Sequence, residues 1–123
     1  MIRGIALVLM AVTLIGCATG PSQEGVNEQK AAEINAQLGL RYMQQGKNDL
    51  ALEKLKRALK YDDDSVAAHH YLAELYRRLD ENEKADDHYE TALYLDPENS
   101  GIHNNYGVFL CNTGRYEDAE EHF

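Results

Sequence analysis

Along most of this chain apolar residues recur in steps of three and four, separated by polar stretches. Leu38 and Tyr42 form one such face, and Leu52, Leu55 and Leu59 form the next, the spacing of a helix that buries one side. The same residue classes then return every 34 positions: Ala51, Ala85 and Ala119; Leu55, Tyr89 and Phe123; Leu38, Leu72 and Tyr106; Gly39, Ala73 and Gly107; Tyr42, Tyr76 and Leu110; Ala58 and Ala92. A self-similar period of that length is the signature of stacked helical units. The pattern predicts helices over 31–45, 48–61, 65–79, 82–95 and 99–113, and from 116 onward.

Numbered from Ala32, Val66 and Ser100, the units span about 32–65, 66–99 and 100–123, the last incomplete, and Pro97 falls at position 32 of the second. Small or apolar residues occupy positions 7, 8, 11, 20, 24 and 27. This resembles the tetratricopeptide repeat (TPR), which implies an all-α helix-turn-helix solenoid over residues 31–123. Position 8 (Gly39, Ala73, Gly107) and the alanine at position 20 are small where the two helices of a unit must approach closely. Gly46 and Gly114 are placed to end first helices in a left-handed cap, with Asp80 a weaker choice at the same place. Asp96-Pro97 closes a second helix, because a proline disfavours helical geometry in the residue before it. Stacked units bury only what their neighbours cover. The sequence stops at Phe123, inside a helix and on an apolar residue, so it reads as part of a longer solenoid, and residues 31–123 alone are expected to unfold with poor cooperativity.

The first residues differ. Arg3 precedes an apolar run from Gly4 to Ile15, of signal-peptide length and too short to span a bilayer comfortably. Leu14-Ile15-Gly16-Cys17 resembles the bacterial lipobox. That resemblance implies a signal over residues 1–16, acylation of Cys17, and a lipid-anchored mature chain. Ala18 is not the Asp that marks inner-membrane retention in many lipoproteins, which points to the outer membrane, facing the periplasm. Residues 17–30 are polar, with Gly and Pro, and read as a lipidated cysteine and flexible tether.

Charge narrows the partners. Over 123 residues there are 12 Lys and Arg against 21 Asp and Glu, a net charge of -9, which repels a phosphate backbone and excludes nucleic acid as a first reading. Removal of 1–16 takes away Arg3 and leaves -10. Anchoring would then come from lipid and not from charge.

The residues able to do chemistry are absorbed by the repeat. His69 and His103 share position 4, between the helices, and His88 and His122 share position 23, on the second-helix surface. Adjacent His69 and His70 point to different helix faces, and no metal-ligand spacing occurs, so no metal or cofactor is expected. Cys111 is the one thiol left once Cys17 is acylated, and reads as a small, half-buried apolar residue. Asp62-Asp63-Asp64 and Asp86-Asp87 read as solvated charge, without EF-hand spacing. No Gly-rich phosphate loop or nucleophile motif is present, so an enzyme is not expected.

Function should then lie on a surface. Helix-A positions 2, 5, 9, 12 and 13 face the concave side of a TPR stack. The candidate partner-binding residues are Ala36, Leu40, Met43 and Gln44 in the first repeat, His70, Glu74, Arg77 and Arg78 in the second, and Asn104, Val108, Cys111 and Asn112 in the third. An apolar strip (Ala36, Leu40, Met43) beside Arg77-Arg78 suits a peptide with an apolar segment and an acidic group.

The stretch Asn104-Asn105-Tyr106-Gly107-Val108-Phe109-Leu110-Cys111-Asn112-Thr113-Gly114-Arg115-Tyr116-Glu117-Asp118-Ala119 goes beyond the generic repeat. With the lipobox and Gln37-Leu38-Gly39-Leu40-Arg41-Tyr42, it resembles the type IV pilus biogenesis lipoprotein (PilF/PilW pilotin) family, whose longer members this chain would match in their N-terminal part. The resemblance implies an outer-membrane protein that binds pilus secretin subunits and promotes their localisation and multimerisation. Two alternatives stay open on the residues alone: a general TPR scaffold for envelope assembly, and the regulatory repeats of a periplasmic enzyme.

Overall fold

A computed structural model describes residues 23–123; the signal, Cys17 and the start of the tether lie outside the described residues. Six helices follow in order: α1 (Gln23–Gln44), α2 (Asn48–Tyr61), α3 (Val66–Arg78), α4 (Asn82–Leu95), α5 (Ser100–Asn112) and α6 (Tyr116–Glu120). Helices pair as α1 with α2, α3 with α4 and α5 with α6, and successive pairs stack so that α3 also meets α1, α2 and α5. This is the TPR solenoid.

The turns repeat with the sequence. Each first helix ends in the same six-residue cap: Lys47 N–H reaches the Tyr42 carbonyl, Glu81 that of Tyr76, and Arg115 that of Leu110, at 2.8–2.9 Å. The residue before each donor is left-handed, Gly46 at φ 73°, Asp80 at φ 57° and Gly114 at φ 79°. This is the Schellman arrangement that satisfies the otherwise unpaired last carbonyls. Between repeats, the Ser65 side chain caps α3 by accepting from Ala68 N–H, and Asn99 Oδ1 caps α5 by accepting from Ile102 N–H at 3.1 Å.

The core runs through the stack. Ala51, Leu55, Ala58, Leu72, Ala73, Leu75, Ala85, Tyr89, Ala92, Ile102 and Leu110 are essentially inaccessible. The small residues at positions 8 and 20 mark the close approach: a Cβ built on Gly39 would lie 2.5 Å from Leu55 Cγ. Across the second boundary Tyr89 stacks on Tyr106 with ring centroids 5.0 Å apart and tilts against Phe109 at 5.5 Å.

Three expectations need correction. Residues 23–30 are the first turns of α1 and not tether. A polar run without a break fits the exposed start of a helix as well as a linker, and one glycine, Gly25, costs only about 1 kcal/mol there; packing against the core begins at Ala32. Position 23 is not a free surface: His88 is half-buried and faces His69 across the helix pair. Asp86 is not solvated outer charge either, since it accepts from Tyr106 Oη at 2.7 Å and pairs with Arg115.

Candidate functional site

First helices of successive repeats lie side by side and form the concave face. Their neighbouring surfaces are stitched at an offset of 35 residues, one more than the repeat. Asn105 Nδ2 lies 2.9 Å from His70 Nε2, and Arg78 Nη1 donates to the Met43 carbonyl at 3.0 Å. The extra residue arises because facing side chains on parallel-stacked helices come from adjoining, not identical, positions.

The predicted residues divide. Ala36 is fully buried and Met43 is 3% exposed, so both belong to the core and not to a contact surface. Met43 joins the same buried cluster as Ala51, Leu55 and Ala58 of α2 and Leu72 and Tyr76 of α3. Leu40 is half-buried at the groove edge and Gln44 is exposed. In α5, Asn104, Asn112 and Val108 are exposed, Val108 at 43%, and Cys111 is half-buried against the core. The open apolar surface of the groove therefore consists of Leu40 and Val108 and not a strip in the first repeat.

The charged centre is self-paired. Glu74 accepts from the Tyr89 hydroxyl and from Arg77 Nη2, the latter at 2.9 Å. Burial, reinforced by the Glu74 carboxylate, pushes the Tyr89 phenol well above its ordinary range and keeps it a donor. The Arg77 charge is held by its hydrogen bond to Glu74. Burial pulls the His70 imidazole below its ordinary value, with Glu74 acting the other way. His70 is thus neutral at pH 7 and free to exchange a hydrogen bond with Asn105. Arg77 and Arg78, expected to receive an acidic group, already have partners; an incoming carboxylate would have to compete with Glu74.

Beside this centre, at the N-terminal ends of α3 and α5, opens a cleft of about 500 Å³ whose walls include Glu33, Asp62, Asp64, His70, Tyr71 and Asp96. Tyr71 and Asn105 are not singled out as site residues by the sequence, which reads Asp62 and Asp64 as solvated charge and Asp96 as the close of a helix. The 35-residue offset would have found Asn105 opposite His70; Asp62 and Asp64 become walls only because the α2–α3 turn folds over the groove end, where Asp62 Oδ1 accepts from Asp64 N–H at 3.1 Å. Among the described residues no group of three or more His, Cys, Asp or Glu side chains could hold a metal ion, and no helix is long and apolar enough to cross a membrane. The arrangement offers hydrogen-bonding and packing surface: a place to lay a polypeptide.

Family profiles described as TPR repeat and tetratricopeptide repeat match residues 39–80, 66–99 and 88–121. The chain is 38% identical over 122 residues to the type IV pilus assembly protein PilF of Pseudomonas aeruginosa, covering 96% of this chain and 48% of that protein. It is 33% identical over 110 residues to an uncharacterized protein of Haemophilus influenzae, covering 89% of this chain and 62% of the relative. The chain thus spans about half to three-fifths of the length of these relatives. A solved structure of the Pseudomonas PilF superposes with a TM-score of 0.75 at 38% identity, over 78% of this chain and 43% of that one. PilW, described as a widely conserved type IV pilus biogenesis factor, gives 0.71 at 33% identity over 74% and 42%.

Proposed function

This chain belongs to the tetratricopeptide-repeat family, akin to type IV pilus biogenesis TPR proteins, and we propose that it serves type IV pilus biogenesis as a pilotin. In this reading Cys17 is acylated and holds the chain at the outer membrane, facing the periplasm. The concave groove takes a segment of a pilus secretin subunit and helps those subunits reach the membrane and multimerise. The observation that carries the reading is the 38% identity to PilF across nearly the whole chain.

The groove supplies the means. Leu40 and Val108 give apolar anchors on either side of the polar centre built by His70, Glu74 and Asn105. A bound segment in extended or helical form would exchange hydrogen bonds with the exposed amides of Gln44, Asn104 and Asn112. The carboxylates around the cleft disfavour an acidic segment at that end.

Deletion of the gene should remove surface pili and secretin multimers from the outer-membrane fraction, and unchanged multimers there overturn the reading. Complementation by Val108→Glu should fail to restore multimers although the protein accumulates normally. Cys17→Ser should move the protein from membrane to soluble fraction, and continued membrane association would refute the lipid anchor.

A further inference from the structure

Repeats two and three carry histidine at positions 4 and 23, where the first repeat has Asn35 and Lys54. Because the two helices of a repeat run back to back, these positions meet. His69 Nδ1 lies 2.9 Å from His88 Nδ1, and His103 Nδ1 lies 2.9 Å from His122 Nδ1. The other nitrogen of each first-helix histidine faces a backbone carbonyl six residues upstream: His69 Nε2 is 2.8 Å from the Asp63 oxygen, and His103 Nε2 is 2.7 Å from the Pro97 oxygen. The device is thus built twice in the same register, and joins the turn before a repeat, its first helix and its second helix.

The chemistry fixes the protons. A carbonyl only accepts, so Nε2 of His69 and of His103 carries hydrogen; in the neutral ring Nδ1 is then bare. The short Nδ1 to Nδ1 contact requires that His88 and His122 donate from Nδ1, a tautomer set by the partner and not by the free imidazole's preference. An additional proton on Nε2 of His88 or His122 leaves this bond in place. A second one must go on Nδ1 of His69 or His103, where it faces another N–H across the same gap, with two positive charges side by side.

We propose that the two histidine pairs are proton-sensitive latches fastening the second helix of a repeat to its first, closed while a pair carries at most one extra proton and open when it takes two. Stacking reinforces the closed form: His88 lies on Tyr76 with centroids 5.5 Å apart, and His122 packs on Tyr106 at 4.6 Å. The charged groups around the first pair are Asp87 beside His88, Lys84 with its Nζ 5.3 Å over the Tyr76 ring, and Glu81, which pairs with Lys84; the Asp63 carboxylate is exposed. Around the second pair stand Asp118 on α6 and Glu121 just past its end, Glu98 on the preceding turn, and the Tyr106 phenol with Asp86 and Arg115 behind it.

The carboxylates welcome the first proton, whereas burial, and then the partner imidazole, oppose charge on His88 and His122 and hold both below the ordinary imidazole range. Groups depressed in the folded chain contribute stability that is complete above the unfolded value of about 6.5 and is lost as pH falls below it. Opening takes up at least one proton per pair, so the unfolded-to-folded ratio should rise about tenfold per pH unit for each pair. Ordinary carboxylates titrate near 4, which leaves pH 5–6.5 as the window of the latches.

Long-range nitrogen–proton NMR of the full chain at pH 7.5 tests the closed form. Nδ1–H tautomers at His88 and His122, opposite Nε2–H at His69 and His103, support the latches; four Nε2–H tautomers overturn them. Denaturant unfolding across pH 5–6.5 tests the opening. His88→Gln keeps an amide N–H for His69 but cannot ionise, and should lessen the dependence by about tenfold per pH unit; an unchanged dependence refutes the proposal. If that variant fails to fold, the tautomers of the unaltered chain decide the question.

Discussion

The Tyr106 hydroxyl donates to Asp86 Oδ1 at 2.7 Å, crossing from the third repeat to the second, and Arg115 Nη1 reaches the same oxygen at 2.8 Å. Burial, with Asp86 beside it, raises the Tyr106 phenol above its ordinary range, so the hydroxyl keeps its proton at any physiological pH. One carboxylate thereby serves α4, α5 and the turn before α6. Asp86→Ala should cost about 1.5–3 kcal/mol, the usual worth of a hydrogen bond to a charged group. Tyr106→Phe should cost less, and the double variant should show coupling in urea unfolding; strict additivity would mean that the contact contributes nothing.

Close approach at Gly39 makes a second expectation. Leu55 lies where a β-carbon would go, so Gly39→Val should destabilise by about 1–3 kcal/mol through overpacking. Trimming the obstacle in Gly39→Val/Leu55→Ala should return part of that loss. A Gly39→Val chain as stable as the parent would show that α1 and α2 can separate freely.

Asp80 holds a left-handed backbone that its counterparts Gly46 and Gly114 adopt without a Cβ. Asp80→Gly should therefore stabilise the chain, by about 0.5–1 kcal/mol once the greater freedom of glycine in the unfolded chain is set against the relieved strain. Thermal unfolding should move up by a few degrees. A lower midpoint would point to a role for the Asp80 carboxylate in the α3–α4 turn.

Met43 and Val108 make a contrasting pair on the groove side. Met43 is 3% exposed and Val108 is 43% exposed. Met43→Glu should lose about 3 kcal/mol or more by burying an unpaired charge, seen as loss of helical circular dichroism at moderate urea. Val108→Glu should stay within about 0.5 kcal/mol of the parent and impair only partner capture. A stable Met43→Glu chain would return that side chain to the groove.

The fold was legible because a repeat announces itself several times over. Leu55, Tyr89 and Phe123 at one spacing, with Ala51, Ala85 and Ala119 beside them, place the helices to within a residue or two except at the start of α1. There, Glu24 to Lys30 bury nothing against the core, so the apolar pattern on which the reading rests is silent. The groove was less legible. Ala36 and Met43 occupy groove positions in the repeat numbering, yet both are buried in the core with residues of α2 and α3. His70 with Asn105, and Met43 with Arg78, meet only through stacking of successive repeats, a relation offset by one residue from the period itself.

Residue order alone determined the helical period, the turns at Gly46, Asp80 and Gly114, the small residues at the close approaches, and the recurrence of histidine at two positions of the second and third repeats. These are local or periodic properties, set by backbone sterics and by which side of a helix is apolar. Tertiary structure decided what those residues face. It buried Met43, set Asp86 against Tyr106 and the Tyr89 hydroxyl against Glu74, and brought His69 to His88 and His103 to His122. The reason is physical: contacts between helices depend on how far each is rotated and how closely the small residues let them approach, and side-chain volumes from several helices together fix both.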